Sequence, residues 1–255
     1  MKLPLVRAAL LAAAAATLLY ATPANAIANG EDVPDGQYTF SAALSMPKIT
    51  RPDGSTYASA CSGALIAPQW IVSAGHCFHD GARNRISGPP RYQVTVTVGQ
   101  ATLSGTTGQK ADVVHIVQSP DTDLAIAKLA TPVTGITPLA LADSAPAKGS
   151  VVRLVGWGSR DGAADLTHRP DWMQTGQMTV VRVAKHEIYF TGYLPSTETS
   201  ACPYDSGAPY FVETPDGPYL VGTEIGGPTC PHSRTEKAAR VDTMATWIRG
   251  HITGV

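Results

Sequence analysis

Apolar residues in this chain come in short runs, and almost nowhere with the spacing of a long helix. From Tyr92 to Val98, Val94, Val96 and Val98 alternate with Thr95 and Thr97, which is the two-residue period of a half-buried strand. Comparable runs recur at Thr39–Met46, Cys61–Ser73 (broken at Ala67-Pro68), Val113–Val117, Leu124–Leu129, Val151–Val155, Met178–Val183, Glu187–Phe190, Pro209–Val212 and Tyr219–Thr223. Turn formers such as Pro52-Asp53-Gly54 separate them, and 24 glycines and 20 prolines supply many tight reversals. Helical spacing is convincing once: Met244, Trp247, Ile248 and Ile252 share a face, with Asp242 placed to cap it. The reading is an all-β chain with two sets of strands, at 27–130 and 149–241. A Pro/Ala/Thr/Gly-rich surface linker covers 131–148 between them, and a closing helix covers 242–255.

The first 26 residues read as a secretory signal peptide. Lys2 and Arg7 supply a positive start, Ala8–Tyr20 is an apolar run, and Ala24-Asn25-Ala26 offers small residues for cleavage. A membrane anchor needs roughly 20 apolar residues, more than this run holds, and no basic stop-transfer cluster follows it. The mature chain then starts at Ile27 and is long enough to bury a core. Formal net charge is −1, without a cluster of Lys and Arg, so nucleic acid is not an expected partner. The cysteines are four: Cys61, Cys77, Cys202 and Cys230. In an oxidising compartment an even number implies two disulfides, and three pairings are open. A zinc site is the alternative, but no Cys-x-x-Cys pair is present.

Three short stretches carry chemistry. Amide hydrolysis needs a hydroxyl nucleophile, an imidazole to take its proton, and a carboxylate to orient and stabilise that imidazole. Ser206 lies in Cys202-Pro203-Tyr204-Asp205-Ser206-Gly207-Ala208-Pro209, a sharp turn that exposes its hydroxyl. His76 follows an apolar strand in Ser73-Ala74-Gly75-His76-Cys77. Asp123 heads Asp123-Leu124-Ala125-Ile126-Ala127-Lys128-Leu129. Each occurs commonly as plain structure. Together, in the order His, Asp, Ser, they point to a catalytic triad.

With Ile27-Ala28-Asn29-Gly30, Cys61-Ser62-Gly63-Ala64-Leu65-Ile66, Val155-Gly156-Trp157-Gly158, and Arg240-Val241 ahead of Trp247-Ile248, these motifs span nearly the whole mature chain. The sequence resembles the trypsin/chymotrypsin family of secreted serine proteases, in a bacterial-type form. The order of the three residues separates it from subtilisin-like and α/β-hydrolase enzymes. The resemblance implies a chymotrypsin-like fold of two six-stranded antiparallel β-barrels with the active site between them. It also implies the disulfides Cys61–Cys77 and Cys202–Cys230, and an oxyanion hole made by the backbone N–H groups of Tyr204 and Ser206. It further implies an activating pair between the Ile27 ammonium and Asp205. Two departures stand out: Tyr204 replaces a usual glycine, and Gly75 a usual alanine.

The resemblance places the substrate pocket around Ser200, Thr223–Gly227 and Glu236. Ser200 is neutral where trypsin-like members carry an acid. Either Glu224 or Glu236, if desolvated in the pocket, would favour Lys or Arg before the scissile bond; if both face solvent, aromatic residues stay open. Ile225-Gly226-Gly227 replaces the family's Ser-Trp-Gly wall, and with Gly226 and Gly227 the subsite contacts should be looser. The function expected is a secreted, monomeric serine endopeptidase. Its partners are protein or peptide substrates and protein inhibitors, not membranes once the signal is removed. It needs no metal and no organic cofactor. The rivals are a protease fold that only binds, and an esterase of the same fold.

Overall fold

In the strand with the clearest alternation, Val96 and Val98 are buried while Thr95 and Thr97 are partly exposed, so one face looks into a core and the other toward water. The same rule builds the rest of the chain. The structure is a computed structural model that describes residues 27–159 and 161–252. The segment 1–26 expected to be a signal peptide, and residues 253–255 of the expected closing helix, lie outside the described residues.

The strands are β1 (Glu31–Asp32), β2 (Ser41–Thr50), β3 (Thr56–Ala67), β4 (Trp70–Ala74), β5 (Thr95–Val98), β6 (Gln109–Gln118) and β7 (Leu124–Leu129). There follow β8 (Ala140–Leu141), β9 (Val151–Gly156), β10 (Gln174–Val183), β11 (Glu187–Leu194), β12 (Pro209–Val212), β13 (Tyr219–Gly226) and β14 (Glu236–Arg240). A 3-10 turn over Asp242–Met244 leads into helix α1 (Ala245–Ile252). The first barrel closes in the order β2-β3-β4-β7-β6-β5, and the second in the order β9-β10-β11-β14-β13-β12 with β9 paired to both β12 and β10. The fold is therefore the expected pair of six-stranded antiparallel barrels with one C-terminal helix.

Each barrel fills its own interior. Leu44, Met46, Leu65, Ile71, Val96, Val98, Ile116 and Leu129 pack the first. Leu154, Met178, Val180, Ile188, Phe190, Tyr210 and Val221 pack the second. A third cluster joins the two barrels and takes in Phe40, Trp70, Ile126, Val155, Trp157, Phe211 and Leu220; Met244 and Ile248 dock the helical end of the chain onto it. Each such side chain contributes about 1.5–3 kcal/mol when fully buried, so the shared cluster holds the two halves as one unit and sets the cleft between them.

Some local expectations shift. The segment 131–148 is tied down in its second half, where β8 pairs in parallel with β13 through Ala140↔Tyr219 and Leu141↔Leu220. Strand β14 has no apolar alternation in Glu236-Lys237-Ala238-Ala239-Arg240; it is a strand because β11 and β13 pair with it on either side. Asp242 does not cap the helix. Its carboxylate is gripped by Arg240 (Nη2 to Oδ2 2.6 Å, Nε to Oδ1 3.0 Å), and Val241 takes the capping position of the 3-10 turn.

Candidate active site

Strand pairing sets the first two site residues side by side. β4 and β7 run antiparallel with Ala74 opposite Leu124, so the residues just past the end of β4 meet the residue just before β7. Gly75 N–H donates to the Asp123 carbonyl (3.1 Å), which fixes the approach. The chain then turns through a 3-10 bend over Gly75–Cys77. His76 presents Nδ1 2.6 Å from Asp123 Oδ2, while its backbone N–H donates to Asp123 Oδ1 at 2.8 Å. Its other ring nitrogen, Nε2, lies 2.8 Å from Ser206 Oγ.

Burial pushes the Asp123 carboxyl up. The His76 hydrogen bond and charge, with Arg85 Nε 3.8 Å from Oδ1, outweigh that and leave it below the usual carboxylate range. An ionised Asp123 can only accept, so the proton of a neutral His76 sits on Nδ1. Nε2 then offers a lone pair to the serine hydroxyl. Arg85 is itself held by Gln118 Oε1 (2.8 Å) and the Thr122 carbonyl (3.2 Å).

Ser206 reaches this place on a loop from the second barrel that is bonded to the first. Ser62 N–H on β3 donates to the Ser206 carbonyl at 2.8 Å. The fit leaves no room for a side chain at Gly207, which has φ +84° and whose Cβ would fall 2.0 Å from Ser73 Oγ and 2.3 Å from the Ser62 carbonyl. Only glycine meets both demands. The disulfides Cys61–Cys77 and Cys202–Cys230 brace the histidine bend and the serine loop.

Tyr204 adopts φ +78°, a left-handed conformation that costs an L residue about 1–2 kcal/mol. It is held there from several sides. The Pro203 carbonyl accepts from Ser159 N–H at 2.7 Å. In a trans peptide that turns the Tyr204 N–H the opposite way. The Tyr204 carbonyl accepts from Ser62 Oγ at 3.2 Å, and the Arg169 guanidinium lies 5.6 Å from the ring centroid. Arg169 Nε donates to the Trp157 carbonyl (2.7 Å); burial lowers this guanidinium to about 10. The N–H groups of Tyr204 and Ser206 donate to nothing among the described residues.

Asp205 is fully buried and accepts from the N–H groups of Gly158 (2.8 Å) and Cys202 (2.9 Å). Gly156 and Gly158 press so close that a Cβ on either would stand 2.2 Å from a carboxylate oxygen. Burial drives this carboxyl well above the usual range, against the two amides. Among the described residues it makes no ion pair within 4 Å. Ile27 is fully buried too, and Ala28 is bonded to Ser200 in both directions (3.0 and 3.3 Å).

A cavity of about 270 Å³ opens beside Ser206, lined by Ala201, Cys202, Glu224, Gly226, Gly227 and Glu236 among others. Glu224 and Glu236 are both buried rather than facing solvent. Ser200 is buried behind the cavity, with its hydroxyl donating to the Glu198 carbonyl (3.3 Å). Sequence reasoning assigned no role to Arg85, Arg169, Ser159, Tyr210 or His232, none of which belongs to a motif, and it named Ser62 only within a motif, without its bond to the Ser206 carbonyl.

Two barrels with a His–Asp–Ser cluster in the cleft between them define a class of hydrolase fold. The family model Trypsin matches residues 27–248, and the chain belongs to the trypsin family. That family is one of serine-type peptidases, hydrolases that act on proteins or peptides, and it also includes inactive members.

Proposed function

We propose that this chain is a secreted serine endopeptidase that cleaves peptide bonds through an acyl-enzyme on Ser206. The observation that carries the reading is the unbroken line from Asp123 Oδ2 to His76 Nδ1 (2.6 Å) and from His76 Nε2 to Ser206 Oγ (2.8 Å). His76 takes the hydroxyl proton as Ser206 attacks the substrate carbonyl, then delivers it to the leaving amine; Asp123 steadies the imidazolium. The developing oxyanion is received by the N–H groups of Tyr204 and Ser206. Water repeats the sequence on the ester and frees the acid.

Cleavage after Ala26 removes the signal peptide and creates an ammonium on Ile27, which supplies Asp205 with its counter-charge. Burying either charge alone is costly, so this pair forms with the mature fold. The product works as a monomer outside the cell, on protein substrates and open to protein inhibitors that fill the same cleft, with the peptidase domain 27–255 divided at the 131–148 linker. A fluorophosphonate probe should label the secreted protein at Ser206. The Ser206→Ala variant should be unlabelled and lose peptide hydrolysis while keeping its unfolding midpoint. Equal hydrolysis by that variant would refute the assignment.

A further inference from the structure

Two buried carboxyl groups, Glu224 and Glu236, line the cavity beside Ser206, and a third, Asp205, is buried next to that serine in the chain; they differ in what is left open on each. Both oxygens of Asp205 are held by main-chain N–H groups. Glu224 is also closed: Tyr210 Oη–H donates to Oε2 (2.6 Å) and Gly226 N–H to Oε1 (2.6 Å). Glu236 is half closed. Its Oε1 accepts from Ala201 N–H at 2.8 Å, whereas Oε2 is buried without a hydrogen-bond partner among the described residues. That oxygen lies against Gly227, where a Cβ would stand 1.7 Å away, so the wall at this point is bare backbone.

Resting on the endopeptidase reading, we infer that Glu236 is the specificity-determining residue of this enzyme, and that its Oε2 receives the ammonium or guanidinium of a Lys or Arg preceding the scissile bond. The acid comes from β14 and is bonded to Ala201 N–H, directly beside Ser200, which carries no charge. The groups around it leave the role vacant. His232 Nε2 is 3.1 Å from Glu236 Oε1 but off line for a hydrogen bond. Its Nδ1 accepts from Arg234 N–H (3.1 Å), so the ring is neutral. Burial and the neighbouring Arg234 hold it below the usual imidazole range. Lys237, next on the strand, is drawn to Glu187 (3.6 Å). Arg169 lies over Tyr204.

Burial, and then the charge of Glu224, push the Glu236 carboxyl up to about 9, so the empty cavity holds it protonated. An entering cation displaces that proton to solvent and takes its place on Oε2. Recognition of basic residues therefore strengthens as pH rises, while uncharged residues gain nothing from the change.

The test uses the mature enzyme and paired peptide p-nitroanilides that differ only in Lys, Arg or Phe before the scissile bond. Wild type should favour Lys or Arg over Phe, and the ratio should rise from pH 6 to pH 9. In Glu236→Gln, which keeps an acceptor for Ala201 N–H, the ratio should fall by about 10²–10³-fold, the loss typical of removing one partner of a buried charge pair. A ratio that survives in Glu236→Gln overturns the inference. So does a wild-type enzyme that cleaves after Phe as well as after Lys at pH 9, whether or not the variant folds. Fluorophosphonate labelling of Ser206 keeps the two ideas apart. Labelling without basic preference defeats the inference alone, and absence of labelling defeats the endopeptidase reading. In that second case p-aminobenzamidine fluorescence still decides: binding to wild type and Ser206→Ala that is lost in Glu236→Gln supports the site, and equal binding to all three refutes it.

Discussion

Replacing Tyr204 by glycine separates two views of the oxyanion hole. In one, a side chain at this position leaves the peptide misaimed, and glycine would restore a lost donor worth about 10²–10³ in rate. In the other, which the structure favours, the Ser159 N–H on the Pro203 carbonyl (2.7 Å) and the Ser62 hydroxyl on the Tyr204 carbonyl (3.2 Å) already fix the peptide. Neither contact involves the Tyr204 side chain, so both persist in Tyr204→Gly. The stability terms also oppose one another. Glycine relieves about 1–2 kcal/mol of left-handed strain at φ +78°. It gives up an Arg169 contact of about 0.5–2 kcal/mol. It also adds about 0.5–1 kcal/mol of unfolded-state entropy. The expected change lies between a gain of about 1 and a loss of about 2 kcal/mol in urea denaturation on a Ser206→Ala background, which prevents autolysis. Turnover of a peptide p-nitroanilide, normalised by active-site titration, should stay within about tenfold of wild type in kcat/KM, well short of the gain that a restored donor would bring. A hundredfold rise would show that Tyr204 holds the hole closed and would refute the reasoning.

Gly207→Ala should destabilise the protein by about 3–5 kcal/mol, because a new methyl would press on Ser73 Oγ and the Ser62 carbonyl at a left-handed φ; a urea midpoint within error of wild type would contradict this. Stability of the Ser206→Ala protein without ligand should fall as pH rises from about 5 to 9. Glu236 and Glu224, raised by burial to about 9 and about 7, bind protons in the folded state that the unfolded chain has released. Each fully retained proton contributes a slope of up to about 1.4 kcal/mol per pH unit. Glu236→Gln should flatten the slope, and a stability that climbs over this range would count against buried, protonated acids at the cavity.

Much of the fold was legible because its strands follow a simple physical pattern. Leu124–Leu129 and Pro209–Val212 have the expected bounds, since each is a short apolar run closed by turn residues. Strand β14 was not legible. Glu236, Lys237 and Arg240 are polar or charged, and only the pairing with β11 and β13 makes a strand of them. The missed strand also matters most for the cavity, since it begins with Glu236. The start of β10 was hidden in the same way: Gln174 and Thr175 are buried polar residues whose side chains donate to Asp32 and to the Leu154 carbonyl, partners that no local pattern reveals. Between Glu224 and Glu236, sequence offered two acids near one pocket; the choice rests on hydrogen bonds from Tyr210 and Gly226, which are not visible in composition or spacing.

The side chains of the cluster were readable because chemistry demands particular residue types: an imidazole, a carboxylate and a hydroxyl in a turn. What holds them is different in kind. Gly75 N–H on the Asp123 carbonyl, Ser62 N–H on the Ser206 carbonyl and Ser159 N–H on the Pro203 carbonyl are main-chain bonds, and almost any residue could make them. Selection at such positions acts through what must be absent, as at Gly207, Gly156 and Gly158, where any Cβ would collide with Ser62, Ser73 or Asp205. A glycine in a sequence signals a turn in general; here Gly207 marks where the serine loop of the second barrel closes onto the first, and Gly156 and Gly158 mark where backbone closes onto the Asp205 carboxylate. The precision of a site assembled from two barrels then depends on backbone contacts within each half and on the Ser62–Ser206 bond that crosses between them. Substitutions at these contacts should disturb geometry and stability together, whereas changes at Glu236 should alter which substrate is chosen and leave the line from Asp123 to Ser206 in place.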